Sequence, residues 1–135
     1  MSQPLRYRLT KNDKLKSRKA IEHLFANGKS FSLFPFRVVW ELTDADEGLK
    51  AGVSASSRSF KKATDRNRVK RLMREAYRLS KNDLSLSLKD NDRGMKIFFL
   101  FQGRELPEYH LLKEKMEAAL KKLIKLSNGK TETAT

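Results

Sequence analysis

The sequence predicts a single α/β (α+β) domain, a two-layer sandwich of helices packed on one central sheet. Three observations predict it. The chain has 135 residues, enough for one substantial core and hardly for two. Apolar residues recur with period two in some stretches and with the helical period in others, in the order α-β-β-α-β-α, with a further short strand possible before Pro35. A basic amphipathic helix falls between two strands, which makes it the crossover of a β-α-β unit.

Taken in order, residues 1–16 are polar and basic and read as an arm preceding the domain, which spans 17–126. A short helix is expected from Ser17 to Phe25. Ser17 suits its cap, Ala20, Ile21, Leu24 and Phe25 share a face, and Asn27-Gly28 stops it. His23 reads as an exposed polar residue of that helix. Phe36, Val38 and Trp40 then alternate with Arg37, Val39 and Glu41, the pattern of a strand. Pro35 sets Phe31 to Phe34 apart as an edge segment or a bend. The Asp- and Gly-rich stretch Thr43 to Lys50 is a turn, and a second strand follows from Leu49 to Ser56. These two strands are expected to pair as an antiparallel hairpin.

A basic loop, Ser57 to Ala63, leads into the crossover helix, Thr64 to Arg78. At about 100° per residue, Val69, Leu72, Met73, Ala76 and Tyr77 fall within an arc of roughly 140° suited to packing on a sheet. Arg66, Lys70, Arg71, Arg74 and Arg78 fall within a second arc of similar width, assigned to the polar side. Thr64 or Asp65 is the expected N-cap, with a stop near Ser80 to Asp83. Loop cations beside the free N–H groups of a helix start make a ready anion site. Leu84, Leu86 and Leu88 are expected in an irregular connection. Asn91 to Gly94 is a turn, and the continuous apolar run Met95 to Phe101 fits a central strand covered on both faces. A last helix, Glu108 to Leu126, carries the stripe Leu111, Leu112, Met116, Ala119, Leu120, Leu123 and Ile124, before a flexible tail at 127–135.

Charge narrows the function. Lys and Arg total 30 against 16 acidic residues, a net charge of +14. Between Ser57 and Arg78 nine Lys or Arg stand against two acids, and residues 1–20 hold seven against Asp13 alone. Positive charge gathered on one helix and one arm is the footprint of phosphate binding. The absence of cysteine excludes a disulfide framework, a thiolate nucleophile and a zinc finger. Ile97 to Phe101, the longest apolar run, is far too short to span a bilayer, and the N-terminus lacks a signal-peptide core. A cytoplasmic location is expected. Surface binding to a membrane is disfavoured, because the helix's apolar face is sized for a protein core. A self-sufficient metal nuclease would need clustered carboxylates or histidines. Asp44, Asp46 and Glu47, like Asp83, Asp90 and Asp92, are better explained as turn residues, and His110 has no evident partner. No catalytic residue and no metal ligand is therefore expected in this chain.

The run Arg66-Asn67-Arg68-Val69-Lys70-Arg71-Leu72-Met73-Arg74-Glu75-Ala76-Tyr77 resembles the signature helix of the bacterial ribonuclease P protein subunit. Gly52-Val53-Ser54 leading through a basic loop into that helix, and the earlier Leu24-Phe25-Ala26-Asn27-Gly28-Lys29-Ser30, follow the order of the same family. The resemblance implies a ribonucleoprotein endonuclease that removes the 5′ leader of precursor tRNA. In it the large RNA performs the chemistry with bound Mg2+, and the protein contributes binding to that RNA and to the leader. It also implies a left-handed crossover, which runs against the usual rule. Arg66, Asn67, Arg68, Lys70, Arg71 and Arg74 match signature positions that face the catalytic RNA, with Arg58, Lys61 and Lys62 extending the charge into the loop. Phe25 matches an aromatic of the leader cleft, where a ring stacks on an unpaired base. Ile21, Phe36, Val38 and Trp40 are carried as its neighbours, with the choice of sheet face left open. Two departures stand out: Ile21 occupies a position commonly aromatic, and Lys61-Lys62-Ala63 replaces a glycine-containing turn. The expected partners are the catalytic RNA and precursor tRNA, with neither DNA nor membrane. A stand-alone ribosomal-type RNA-binding protein is the alternative that size and charge allow. On the two-arc reading, removing Arg66 and Arg68 should leave folding intact.

Overall fold

Strand β4 (Arg93–Phe101) forms the axis of the fold, with apolar side chains directed to both faces of one four-stranded sheet. The computed structural model describes residues 14–128 apart from Lys16 and Ser59. The chain runs α1 (Arg18–Asn27), β1 (Lys29–Leu33), β2 (Phe36–Asp44), a 3-10 turn (Ala45–Glu47), β3 (Leu49–Ala55), α2 (Ala63–Ser80), α3 (Asn82–Asp90), β4 and α4 (Tyr109–Ser127). The spatial order of the sheet is β1-β2-β4-β3. β1 and β2 pair antiparallel through the Phe34-Pro35 turn, β2 pairs antiparallel with β4, and β3 runs parallel to β4.

The expected hairpin between the two middle strands does not form, because β4 inserts between β2 and β3. The reason is apolar demand. A strand built as Ile97-Phe98-Phe99-Leu100-Phe101 exposes oil on both faces unless it is central. β3 has smaller side chains and takes an outer place. Of the sixteen-residue arm, only Lys14 and Leu15 among the described residues can be placed. Lys14 bridges Ala51, and Leu15 donates its N–H to the Ala51 carbonyl at 2.9 Å. The rest of the arm, and the tail from 129 onward, lie outside the described residues.

Register assigns the faces. Phe36, Val38 and Trp40 of β2 lie opposite Phe101, Phe99 and Ile97 of β4, and all are buried under α2, α3 and α4 in the main core. Phe99 sits centrally there, with Phe36 at 6.0 Å and Tyr77 at 5.8 Å between ring centroids. The segment expected to be irregular is helical. Leu84 and Leu88, four residues apart in α3, drop into the same core, which is the helical rather than the strand spacing. Among the described residues, the opposite face is covered in part by α1 and Leu15. Its helix begins as expected, with the Ser17 Oγ accepting the Ala20 N–H at 3.3 Å, and ends with Gly28 donating to the Leu24 carbonyl at 2.7 Å. Leu24 and Leu15 meet Val39 and Phe98 there in a smaller apolar cluster.

Gly94 marks the entry to β4. A Cβ at this position would come within 2.5 Å of the Asp44 carbonyl oxygen and 2.7 Å of the Gly48 carbonyl oxygen, both of them backbone atoms. Gly94→Ala is therefore expected to cost about 1–3 kcal/mol of folding stability through overpacking. Phe99→Ala should cost about 3–5 kcal/mol through the cavity it leaves. Chemical denaturation of the two variants checks both, and an unchanged midpoint for Gly94→Ala would show that β2 yields to the added methyl.

Candidate nucleic-acid interface

Helix α2 carries the largest cluster of candidate residues. Val69, Met73, Ala76 and Tyr77 are buried and Leu72 is half-buried, so the expected apolar face does seat the helix on the core. Asn67, Arg68, Arg71 and Arg74 are exposed, and Lys70 is half-buried. The helix starts at Ala63, earlier than the Thr64 or Asp65 cap predicts. Lys62 is the N-cap residue and makes no side-chain capping bond. Asp65 falls in the first turn, where its charge suits the positive end of the helix.

Arg66 departs from its expected place. At about 100° per residue it lies between Met73 and Tyr77, on the seam of the buried face rather than opposite it. Its Nη1 donates to the carbonyl oxygens of Phe60 at 2.7 Å and Lys61 at 3.0 Å. Phe60 is itself buried, its ring stacked on Phe101 at 5.9 Å. Arg66 thus ties the basic loop to the helix, and the loop presents Arg58, Lys61 and Lys62, all exposed, beside the first turn. The two-arc expectation that Arg66 can be removed without a folding cost is corrected by this contact. Arg78 is also engaged within the chain. Its Nε and Nη2 donate to the two Glu75 carboxylate oxygens at 3.2 Å and 2.6 Å. That hydrogen bonding, with the Glu75 charge behind it, holds the guanidinium above its ordinary arginine value against some desolvation.

A second candidate surface lies on the other side of the sheet, where α1 leaves a flank that the described residues cover only in part. Phe25 is 43% exposed on α1, and its ring meets Phe98 of β4 edge-on, with centroids 5.4 Å apart and planes at 66°. Ile21, half-buried, lies one helical turn earlier. Beside these rings is a cavity of about 290 Å³ whose lining includes Lys14, Gly52, Ser54 and Arg74, so Arg74 belongs both to the cationic helix and to this cavity. Phe36, Val38 and Trp40 are not here. They are 0%, 0% and 4% exposed beneath the helical layer, and the residues of β2 directed to the α1 side are Arg37, Val39 and Glu41. Strand parity forces the choice: the face that meets α2 and α4 cannot also meet a ligand.

Phe98 and Lys14 are residues of this flank that local sequence patterns do not mark, and Gly52, noted in the sequence for the family's order, joins them here. Period two along β4 separates Phe98 from Ile97 and Phe99, but which set meets α1 depends on strand order. Two polar contacts border the flank: His23 Nδ1 lies 3.5 Å from a Glu41 carboxylate oxygen, and Lys96 forms an ion pair with Glu47 at 3.3 Å. Among the described residues, no group of three or more His, Asp or Glu side chains is placed to hold a metal ion, and no helix is long and apolar enough to cross a membrane.

The geometry can be set beside known proteins. A family model described as Ribonuclease P matches residues 9–124. The ribonuclease P protein component of Porphyromonas gingivalis is 35% identical over 122 residues, covering 89% of this chain and 89% of the relative. That of Caldanaerobacter subterraneus subsp. tengcongensis is 32% identical over 119 residues, covering 87% and 92%. Among solved structures, the Staphylococcus aureus RNase P protein superposes with a TM-score of 0.65 at 19% identity, over 82% of this chain and 94% of that one. The Thermotoga maritima RNase P protein gives 0.64 at 24% identity, over 81% and 96%. At those identities the two structures testify to a shared fold. The family match and the sequence identities together go further: the chain belongs to the ribonuclease P protein family.

Proposed function

We propose that this chain is the protein subunit of ribonuclease P, binding the catalytic RNA through α2 and the 5′ leader of precursor tRNA along the α1 flank. The observation that carries the reading is the exposed set Asn67, Arg68, Arg71 and Arg74 on a helix whose other face is locked into the core. A rigid helix presents these groups with no backbone left to order at the moment of binding. Arginine forks make bidentate phosphate contacts, Lys70 adds a point charge, and Asn67 can bond a 2′-hydroxyl or a base edge. Arg58, Lys61 and Lys62 widen the patch, while Arg66 holds the loop that carries them. On the other side, Phe25 offers a half-exposed ring to an unpaired base, with Ile21 beside it.

In this reading the protein supplies binding and orientation, and bond cleavage belongs to the RNA. Among the described residues no three His, Asp or Glu side chains gather to hold a metal ion, and no step of the proposed role needs a metal on this chain. Magnesium is taken as bound mainly by the RNA partner. The reaction served is hydrolysis of one phosphodiester of precursor tRNA, giving the mature 5′ end.

Reconstitution tests this. Purified protein added to a bacterial ribonuclease P RNA at low magnesium should raise precursor-tRNA cleavage well above that of the RNA alone. The triple variant Arg68→Ala/Arg71→Ala/Arg74→Ala should lose most of that gain while keeping the wild-type melting temperature. Tight RNA binding with no gain in cleavage would favour a stand-alone RNA-binding protein, and cleavage by the protein alone would overturn the assignment of chemistry to the RNA. Affinity should fall with salt at a log–log slope on the order of −4 to −8 if six to ten cations engage phosphates. A slope near zero would remove the electrostatic account. Arg66→Ala is expected to differ from Arg68→Ala by losing roughly 1–2 kcal/mol of stability, because two loop carbonyls lose a charged donor. Equal melting temperatures for those two variants would show the loop to be held without it.

A further inference from the structure

Phe98 is an unusual residue on this flank, because it is large, aromatic and almost fully covered on a face that α1 only partly shields. It is 9% exposed, while Phe25, which it touches, is 43% exposed. The rings meet edge-on at 5.4 Å, within the range where the ring quadrupoles attract. The Phe98 ring also packs closely on the backbone of β3. A Cβ added to Gly52 would sit 2.8 Å from both Cδ1 and Cε1 of Phe98 and 3.0 Å from the Leu15 carbonyl oxygen. The ring therefore occupies the space that any other residue at position 52 would fill. Packed closely over Gly52 and in edge contact with Phe25, the Phe98 ring has little room to turn.

An exposed phenylalanine on a helix surface otherwise samples several rotamers, and a base that stacks on it must first fix one of them. Ile21, one turn earlier on α1, has no ring with which to sandwich either the base or Phe25. Phe98 also forms part of the wall of the adjoining cavity of about 290 Å³, into which Arg74 and Lys14 bring positive charge. Hydrophobic floor, fixed ring and cations thus stand together at one place.

We infer that Phe98 is a positioning residue for recognition of single-stranded RNA: braced by Gly52, it holds the Phe25 ring ready to stack on an unpaired base of the leader. This rests on the leader-binding reading proposed above and identifies what prepares that site. Phe98 contacts no base itself; it acts through Phe25.

The test uses the reconstituted ribonucleoprotein and measures its affinity for precursor tRNA relative to mature tRNA, which has no leader. Phe98→Leu keeps an apolar filler and removes the ring, and should lower that ratio roughly 3- to 10-fold, the cost of leaving one side chain to be ordered on binding. Phe98→Met serves the same purpose if the leucine variant does not fold. In a Phe25→Leu background the second substitution should change the ratio no further, since the two residues act as one unit. A ratio unchanged by Phe98→Leu, or lowered as much without Phe25 as with it, would overturn the positioning role. A wild-type ribonucleoprotein with no preference for the leader-bearing substrate would instead overturn the leader-binding reading, and the inference with it.

Discussion

Burial of β4 on both faces is the constraint from which the rest of this structure follows. Ile97, Phe99 and Phe101 point to one side and Phe98 and Leu100 to the other, so neither side can be left to water. The first set is covered by α2, α3 and α4, which gives the main core its depth. The second set needs less cover, and α1 with Leu15 supplies it. The imbalance matters for function. A fully covered second face would leave no flank, and an uncovered one would place Phe98 and Leu100 in solvent. A single short helix, ten residues long, leaves the intermediate outcome: a face that is apolar, partly shielded and accessible at its margin.

The crossover helix meets two demands with one surface, and Arg66 shows where they collide. Its position along the helix puts it at the border of the buried stripe, where a free cation would be costly. The chain solves this by turning the guanidinium back onto the Phe60 and Lys61 carbonyls. Those carbonyls belong to a loop without a glycine turn, which needs some other means of keeping its shape. A cation that looks like one more phosphate contact in the sequence is, in the structure, the clasp that keeps the neighbouring cations in register with the helix.

Much of this was legible in the primary structure. The signature run from Arg66 to Tyr77, the apolar stripe of the last helix apart from the exposed Leu111, and the central character of Met95 to Phe101 each rest on local spacing, and local spacing survives folding. What failed required knowledge of partners. The hairpin expected between the two middle strands is the local default, and it lost to a pairing between residues 49 to 65 positions apart. Phe36, Val38 and Trp40 were correctly seen to share a face, but nothing in one strand says which of its faces meets three helices and which meets one. Leu84, Leu86 and Leu88 alternate like a strand, yet only Leu84 and Leu88 are buried, so the helix hid inside a pattern with two periods. Phe98 was unreadable for the same reason as Trp40: its neighbours across the sheet define it.

The pairing of Lys14 and Leu15 alongside β3 bears on an exposed margin of the sheet. β1 and β3 are the two margins of the sheet. An open margin invites another chain to add itself, since its backbone donors and acceptors point outward in a row. β1 is only five residues long and carries Lys29, Ser30 and Ser32, which makes it a poor template. β3 is longer and parallel to its neighbour, and there the chain's own upstream segment occupies the row at Ala51. The described end of the basic stretch before the domain, Lys14 and Leu15, therefore also shields part of that row. Trimming it to the first helix would uncover a sheet margin and favour self-association in a protein whose high net charge otherwise keeps copies apart.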